Sequence, residues 1–151
     1  MAFSENEITG QAAQSQAAQG PGTDVSAPAD VATIYVCITC RGPDGLVRDP
    51  LPGAVLAAAT AQAALGTGIA VRPIRCLANC SRGPSAAMRA NGSWTYIFGG
   101  LDAAYASDLV AGARMLAQAL NGILPWRGRP DVLKRGLCAR TPPLDFKEDA
   151  Q

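Results

Sequence analysis

The chain has 151 residues, enough for one domain with a single core, and its 48% hydrophobic content must come from Ala, Val and Leu because aromatics make up only 5%. A formal net charge of +1 supplies no bulk attraction to nucleic acid or to an anionic membrane surface. Histidine is absent, which excludes Ser-His triads, imidazole acid–base catalysis, Rieske-type ligation and mixed Cys/His zinc sites.

Taken in order, residues 1–30 read as a disordered low-complexity tail. Gly10 to Asp30 is built from Gln, Ala, Ser, Gly and Pro, with too little apolar side chain to offset the entropy of ordering it. Met1 to Glu7 has no basic start and no apolar segment behind it, so it does not read as a secretory signal. The longest Ala/Leu/Val run, residues 54–65, is interrupted by Thr60 and Gln62 and falls short of the roughly 20 residues a bilayer span needs. A soluble cytoplasmic protein is expected, with neither nucleic acid nor membrane as partner. In that compartment clustered cysteines serve metal binding or catalysis more often than disulfides.

One α/β domain is expected over residues 31–121. It opens with a strand at 32–36, followed at once by Cys37-Ile38-Thr39-Cys40 and the turn residues Arg41-Gly42-Pro43-Asp44-Gly45. A helix follows at 54–65, rich in alanine and stopped by Gly66-Thr67-Gly68. A second strand at 69–75 leads into Cys76-Leu77-Ala78-Asn79-Cys80, and Ser81-Arg82-Gly83-Pro84 then echoes the Arg-Gly-Pro after Cys40. Short strands at 85–89 and 94–98 flank Asn91-Gly92, a strong hairpin signal. A second helix is expected at 102–120, capped by Asp102, with Tyr105, Leu109, Gly112, Ala113, Leu116 and Leu120 on one face. Residues 122–151 read as an irregular strap on the domain, anchored by Trp126 and carrying a turn of helix near 131–135.

Four of the five cysteines thus lie in two windows, each just after a strand, with a helix between them. Parallel strands joined by a right-handed crossover would bring both pairs to one end of the sheet. One four-thiolate site, Cys37, Cys40, Cys76 and Cys80, is the expectation. Arg41, Arg75 and Arg82 adjoin the cysteines and would favour the thiolate form that ligates metal. Three other readings stay open on the residues alone: a Cys37–Cys40 redox dithiol, a structural zinc site of four thiolates, and cobalt or copper handling. Cys138 stands apart and is expected to be a free thiol. The Arg127/Arg129 pair reads either as solvated surface or as a docking patch for an acidic redox partner.

The β-α-β-β-β-α order matches the thioredoxin-like arrangement. The segments Tyr35-Val36-Cys37-Ile38-Thr39-Cys40-Arg41, Cys76-Leu77-Ala78-Asn79-Cys80-Ser81-Arg82-Gly83, Trp94-Thr95-Tyr96 and Leu124-Pro125-Trp126-Arg127 together resemble DUF1636, a bacterial family described as predicted metal-binding proteins and related to thioredoxin-like [2Fe-2S] ferredoxins. The resemblance covers about residues 32–144. Two residues separate Cys37 from Cys40, fewer than in many thioredoxin-like ferredoxins, whereas the three between Cys76 and Cys80 agree with the usual pattern. The resemblance implies a 2Fe-2S cluster on Cys37, Cys40, Cys76 and Cys80, in a one-electron carrier and not an enzyme. Its partners would be a reductase or an acceptor enzyme, with a homodimer as one arrangement. The alternative is a zinc- or cobalt-binding protein acting in structure or metal delivery, without electron transfer.

Overall fold

The computed structural model of the chain describes residues 31–148. The expected tail at 1–30, and the last three residues of the expected strap, lie outside them. Within the described residues the elements run β1 (Ala32–Cys37), α1 (Pro52–Ala63), β2 (Ile69–Ile74), β3 (Ala86–Arg89), β4 (Thr95–Phe98), α2 (Ala106–Gln118), α3 (Asp131–Arg135) and β5 (Leu137–Thr141).

The strands form one sheet in the order β2-β1-β3-β4-β5. Only β1 and β2 pair in parallel, from Ala32 opposite Ile69 to Cys37 opposite Ile74. The remaining neighbours are antiparallel. The thioredoxin-like β-α-β-β-β-α order is therefore the order observed, with α3 and β5 added after it. No helix among the described residues is long and apolar enough to cross a membrane.

Alternation explains β1. Ala32, Ile34 and Val36 are buried while Thr33 and Tyr35 are half-exposed, so one face of the strand meets α1 and α2. The core lies between them, with Ile34, Val36, Leu56, Met88, Phe98, Leu109 and Leu116 at 0–1% exposure. Thr60 is buried in the same layer, and its hydroxyl donates to the Leu56 carbonyl at 2.7 Å, so no polar atom is stranded there. Pro52 opens α1, where its missing N–H would have had no helical partner.

The second helix starts later than its periodicity predicts. Asp102 does cap, accepting from the Ala104 N–H at 2.9 Å, but the first turn is a tight 3₁₀ turn over Ala103–Tyr105. Leu109, Gly112, Ala113 and Leu116 are buried as expected. Tyr105 and Leu120 are not: the first lies in that opening turn, and the second falls past the helix end and is fully exposed. Asn91-Gly92 makes the β3–β4 turn, with Gly92 at φ +67° and Ser93 N–H donating to Ala90 O at 3.1 Å.

The segment read as a strap is more regular than its sequence suggests. β5 pairs with β4 from Thr95–Thr141 to Phe98–Leu137 and forms one sheet edge. Trp126 is not the anchor, for it is 65% exposed; Leu124 and Leu133, at 1% and 0%, fix this segment to the core. The other edge is β2. Ile74 O accepts from Ile38 N–H, so the even residues of β2 face β1 and Ile69, Val71 and Pro73 face outward. Ile69 N–H is taken by Thr67 Oγ1 at 3.2 Å, and Pro73 has no N–H.

Candidate metal centre

The parallel pairing of β1 and β2 brings the two cysteine windows to the same end of the sheet. Cys37 closes β1 opposite Ile74, and the second window begins two residues after Ile74. The loops are stitched together there. Ile38 N–H donates to Ile74 O at 2.9 Å, and the Thr39 hydroxyl donates to Arg75 O. Cys37 Sγ lies 3.5 Å from both Thr39 Oγ1 and Arg75 O. Of the three flanking arginines, Arg75 thus meets the first thiol through its backbone carbonyl, while Arg41 and Arg82 line a shared cavity.

Glycines set how closely the segments approach. A Cβ on Gly53, at the start of α1, would run into the Cys37 carbonyl, and Gly53 N–H donates to Cys40 O at 3.0 Å. A Cβ on Gly83 would lie 3.1 Å from Cys40 Sγ, so the chain after Cys80 is seated on the first pair. On Gly99 it would lie 2.7 Å from Asn79 Nδ2, which closes the other side of the second loop. The result is a cavity of about 720 Å³ that Cys40 and Cys80 both line, together with Arg41, Arg82 and Gly83. No carboxylate lines it.

The four thiols are not equivalent. Cys37 and Cys40 are buried, at 1% and 3%, whereas Cys76 and Cys80 are exposed. Burial pushes Cys37 up, but hydrogen bonds from Thr39, the Cys40 thiol and the Leu77 N–H outweigh it, and the net shift is downward. Cys40 goes the other way. Burial, then its hydrogen bond to Cys37 and the charge there, raise it to about 11. The first pair is thus split, with Cys37 the readier of the two to ionise. In the second loop, Ala78 N–H donates to Cys76 Sγ at 3.2 Å, and Ala78 itself stands at φ +54°, a left-handed backbone that residues other than glycine rarely adopt.

Among the described residues, no three or more Cys, Asp or Glu side chains are gathered closely enough to hold an ion as they stand. Cys37 and Cys40 pair in the first loop, Cys40 and Cys80 share the cavity, and Cys37 and Cys76 do not line it. The donor chemistry nonetheless fits a thiophilic centre: one thiol from each window, Cys40 and Cys80, with two arginines and no carboxylate around the cavity.

Cys138 is nearer than its place in the sequence suggests. Asn79, between Cys76 and Cys80, donates through Nδ2 to Ser85 Oγ at 2.9 Å and lies 3.3 Å from Cys138 Sγ. The fifth thiol therefore supports the back of the second loop, a contact across 59 positions that no local pattern signals.

The family described as "Protein of unknown function (DUF1636)" matches residues 34–143. No curated protein matches the chain. Among solved structures, the crystal structure of the wild-type thioredoxin-like [2Fe-2S] ferredoxin from Aquifex aeolicus is similar at 15% identity and TM-score 0.45, covering 72% of this chain and 96% of that one. A second structure of a thioredoxin-like [2Fe-2S] ferredoxin from Aquifex aeolicus gives 16% identity and TM-score 0.48, covering 77% and 97%.

Proposed function

Since the chain belongs to the DUF1636 family, whose function is unknown, its chemistry has to be read from its own thiols, and we propose that it is a small iron–sulfur protein carrying single electrons. Cys37, Cys40, Cys76 and Cys80 would hold a 2Fe-2S cluster. One observation carries this reading: one thiol from each window, Cys40 and Cys80, lines the same cavity, flanked by Arg41 and Arg82 and free of carboxylates. Such a cluster, when bound, supplies a one-electron acceptor whose oxidised form on four thiolates has a net charge of about −2.

The chain's own groups suit that charge. Arg41 and Arg82 stand at the cavity wall, and the N–H groups of Leu77 and Ala78 point at sulfur. The burial of Cys37 and Cys40 excludes water from one side, while the exposed second loop leaves a short path to a partner surface. We read the protein as a carrier and not an enzyme, exchanging electrons with a reductase or acceptor enzyme.

The test is composition and redox behaviour together. Protein isolated anaerobically should contain about two irons and two sulfides per chain. Dithionite should bleach it reversibly and produce a spin-one-half signal in frozen solution. Cys76→Ser and Cys80→Ser should each strip the cluster, and Cys138→Ser should retain it. Arg82→Gln should lower the reduction potential, because the anionic centre loses a compensating charge. One zinc per chain, without sulfide and with no iron taken up on reconstitution, would sink this reading in favour of a structural or metal-delivery role.

A further inference from the structure

On the β4–β5 flank of the sheet, a second cavity of about 400 Å³ opens between β4, β5 and the chain that follows α2. Its volume is that of a small-ligand pocket. Ile123, Leu124, Pro125 and Leu137 give it an apolar wall, and Arg129 and Arg140 stand in the lining.

Arg129 is the unusual member. It is 6% exposed, and among the described residues no carboxylate pairs with it. Nε donates to Pro125 O at 3.1 Å and Nη2 to Leu124 O, while the ring of Tyr96 lies 5.8 Å from Cζ and that of Trp126 5.2 Å. Carbonyls and ring faces orient a guanidinium, but they bring no countercharge. A buried cation so placed costs several kcal/mol unless an anion compensates it. Nη1 bonds to no described residue, and no buried side-chain nitrogen is left sealed without a partner, so Nη1 is open to the cavity. Burial depresses the Arg129 guanidinium, and the charge on Arg140 adds to the effect. Both cations would be relieved by one anion between them. Arg140 stacks on the Trp94 ring, with Cζ 4.6 Å from the centroid, and that ring face brings no countercharge either.

We propose that this cavity is a binding site for a small organic oxyanion, its carboxylate or phosphate held by Arg129 and Arg140 and its apolar body seated on Leu124 and Leu137. The planar guanidinium presents paired donors that match such a group, which an ammonium could not. The site shares no lining residue with the cavity of Cys40 and Cys80, and it would serve as a sensor pocket whether or not a metal is bound.

The experiment uses the full chain at constant ionic strength set with chloride. Sodium benzoate and inorganic phosphate are titrated separately while the Arg129 Nε–H and Trp126 indole N–H resonances are followed by NMR. Saturable shifts with either probe support the proposal, and the tighter of the two identifies carboxylate or phosphate as the preferred group. Arg140→Gln, at the exposed rim, should weaken binding by about threefold or more with unchanged thermal stability. Arg129→Lys should weaken it by about tenfold, since charge remains but the paired donors do not. Shifts that fail to saturate, or that match those of equal added chloride, would overturn the proposal. Unchanged affinity in the Arg140 variant would do the same.

Discussion

Ala78 shows what the second cysteine loop requires of its residues. Its N–H donates to Cys76 Sγ while its left-handed backbone redirects the chain after it, and a residue with a Cβ holds that conformation at a cost. Ala78→Gly should therefore stabilise the metal-free protein by about 1 kcal/mol, read as a shift in its denaturant midpoint. An unchanged midpoint would mean that the loop relaxes freely in the absence of metal. Asp44 gives a prediction in pH. Two hydrogen bonds from Arg48, with a third from the Leu46 N–H, hold its carboxyl down at about 2. A depressed carboxyl contributes stability that is fully present above its unfolded value near 4 and is lost as pH falls through the folded one. In Arg48→Gln the Asp44 titration followed by carbon NMR should move up toward the ordinary carboxylate range. The cysteine windows themselves were plain in the sequence, because each follows a strand run without a gap. The fates of Arg127 and Arg129 were not. Two residues apart in an irregular stretch, one is exposed and the other buried, and only the seat of Arg129 between Tyr96 and Trp126 separates them.

At the scale of elements, α3 tests whether the C-terminal segment belongs to the domain or lies on it. Leu133 is fully buried, and the missing Cβ of Gly112 on α2 is what admits its side chain. Leu133→Ala should cost about 2–5 kcal/mol, as for any large core residue. A loss below about 1 kcal/mol, measured by chemical denaturation, would return the segment to the role of a surface strap. The order from β1 to α2 was legible because period-2 and period-3.6 patterns are bounded there by Gly and Pro. β5 was not, for a physical reason. Leu137-Cys138-Ala139-Arg140-Thr141 is an edge strand with only partial burial, so its sequence carries no apolar alternation, and its pairing with β4 is fixed by distant residues. The early end of α2 was hidden for the converse reason. Leu120 continues the helical spacing, yet the chain has already left the helix at Ala119, whose ψ of 109° is extended.

For the whole molecule, the two edges of the sheet decide how copies can meet. An edge strand with free donors invites another chain to pair with it. Along the outer side of β2, Ile69 gives its N–H to Thr67 and Pro73 has none to give. Pro73→Val would restore a donor at the end of that row, next to the one on Val71. The variant should self-associate as its concentration rises, seen as earlier elution in size-exclusion chromatography, whereas the parent protein should not change. Equal elution of the two across the same concentrations would show that the proline has no protective role. Pro73 also lies only three positions before Cys76, on the strand that delivers the second thiol loop. A visiting strand would find no backbone donor at Pro73 for β-augmentation. A partner that approached along the strand axis, onto the loop tips, would instead meet side chains such as Arg41 and Arg82.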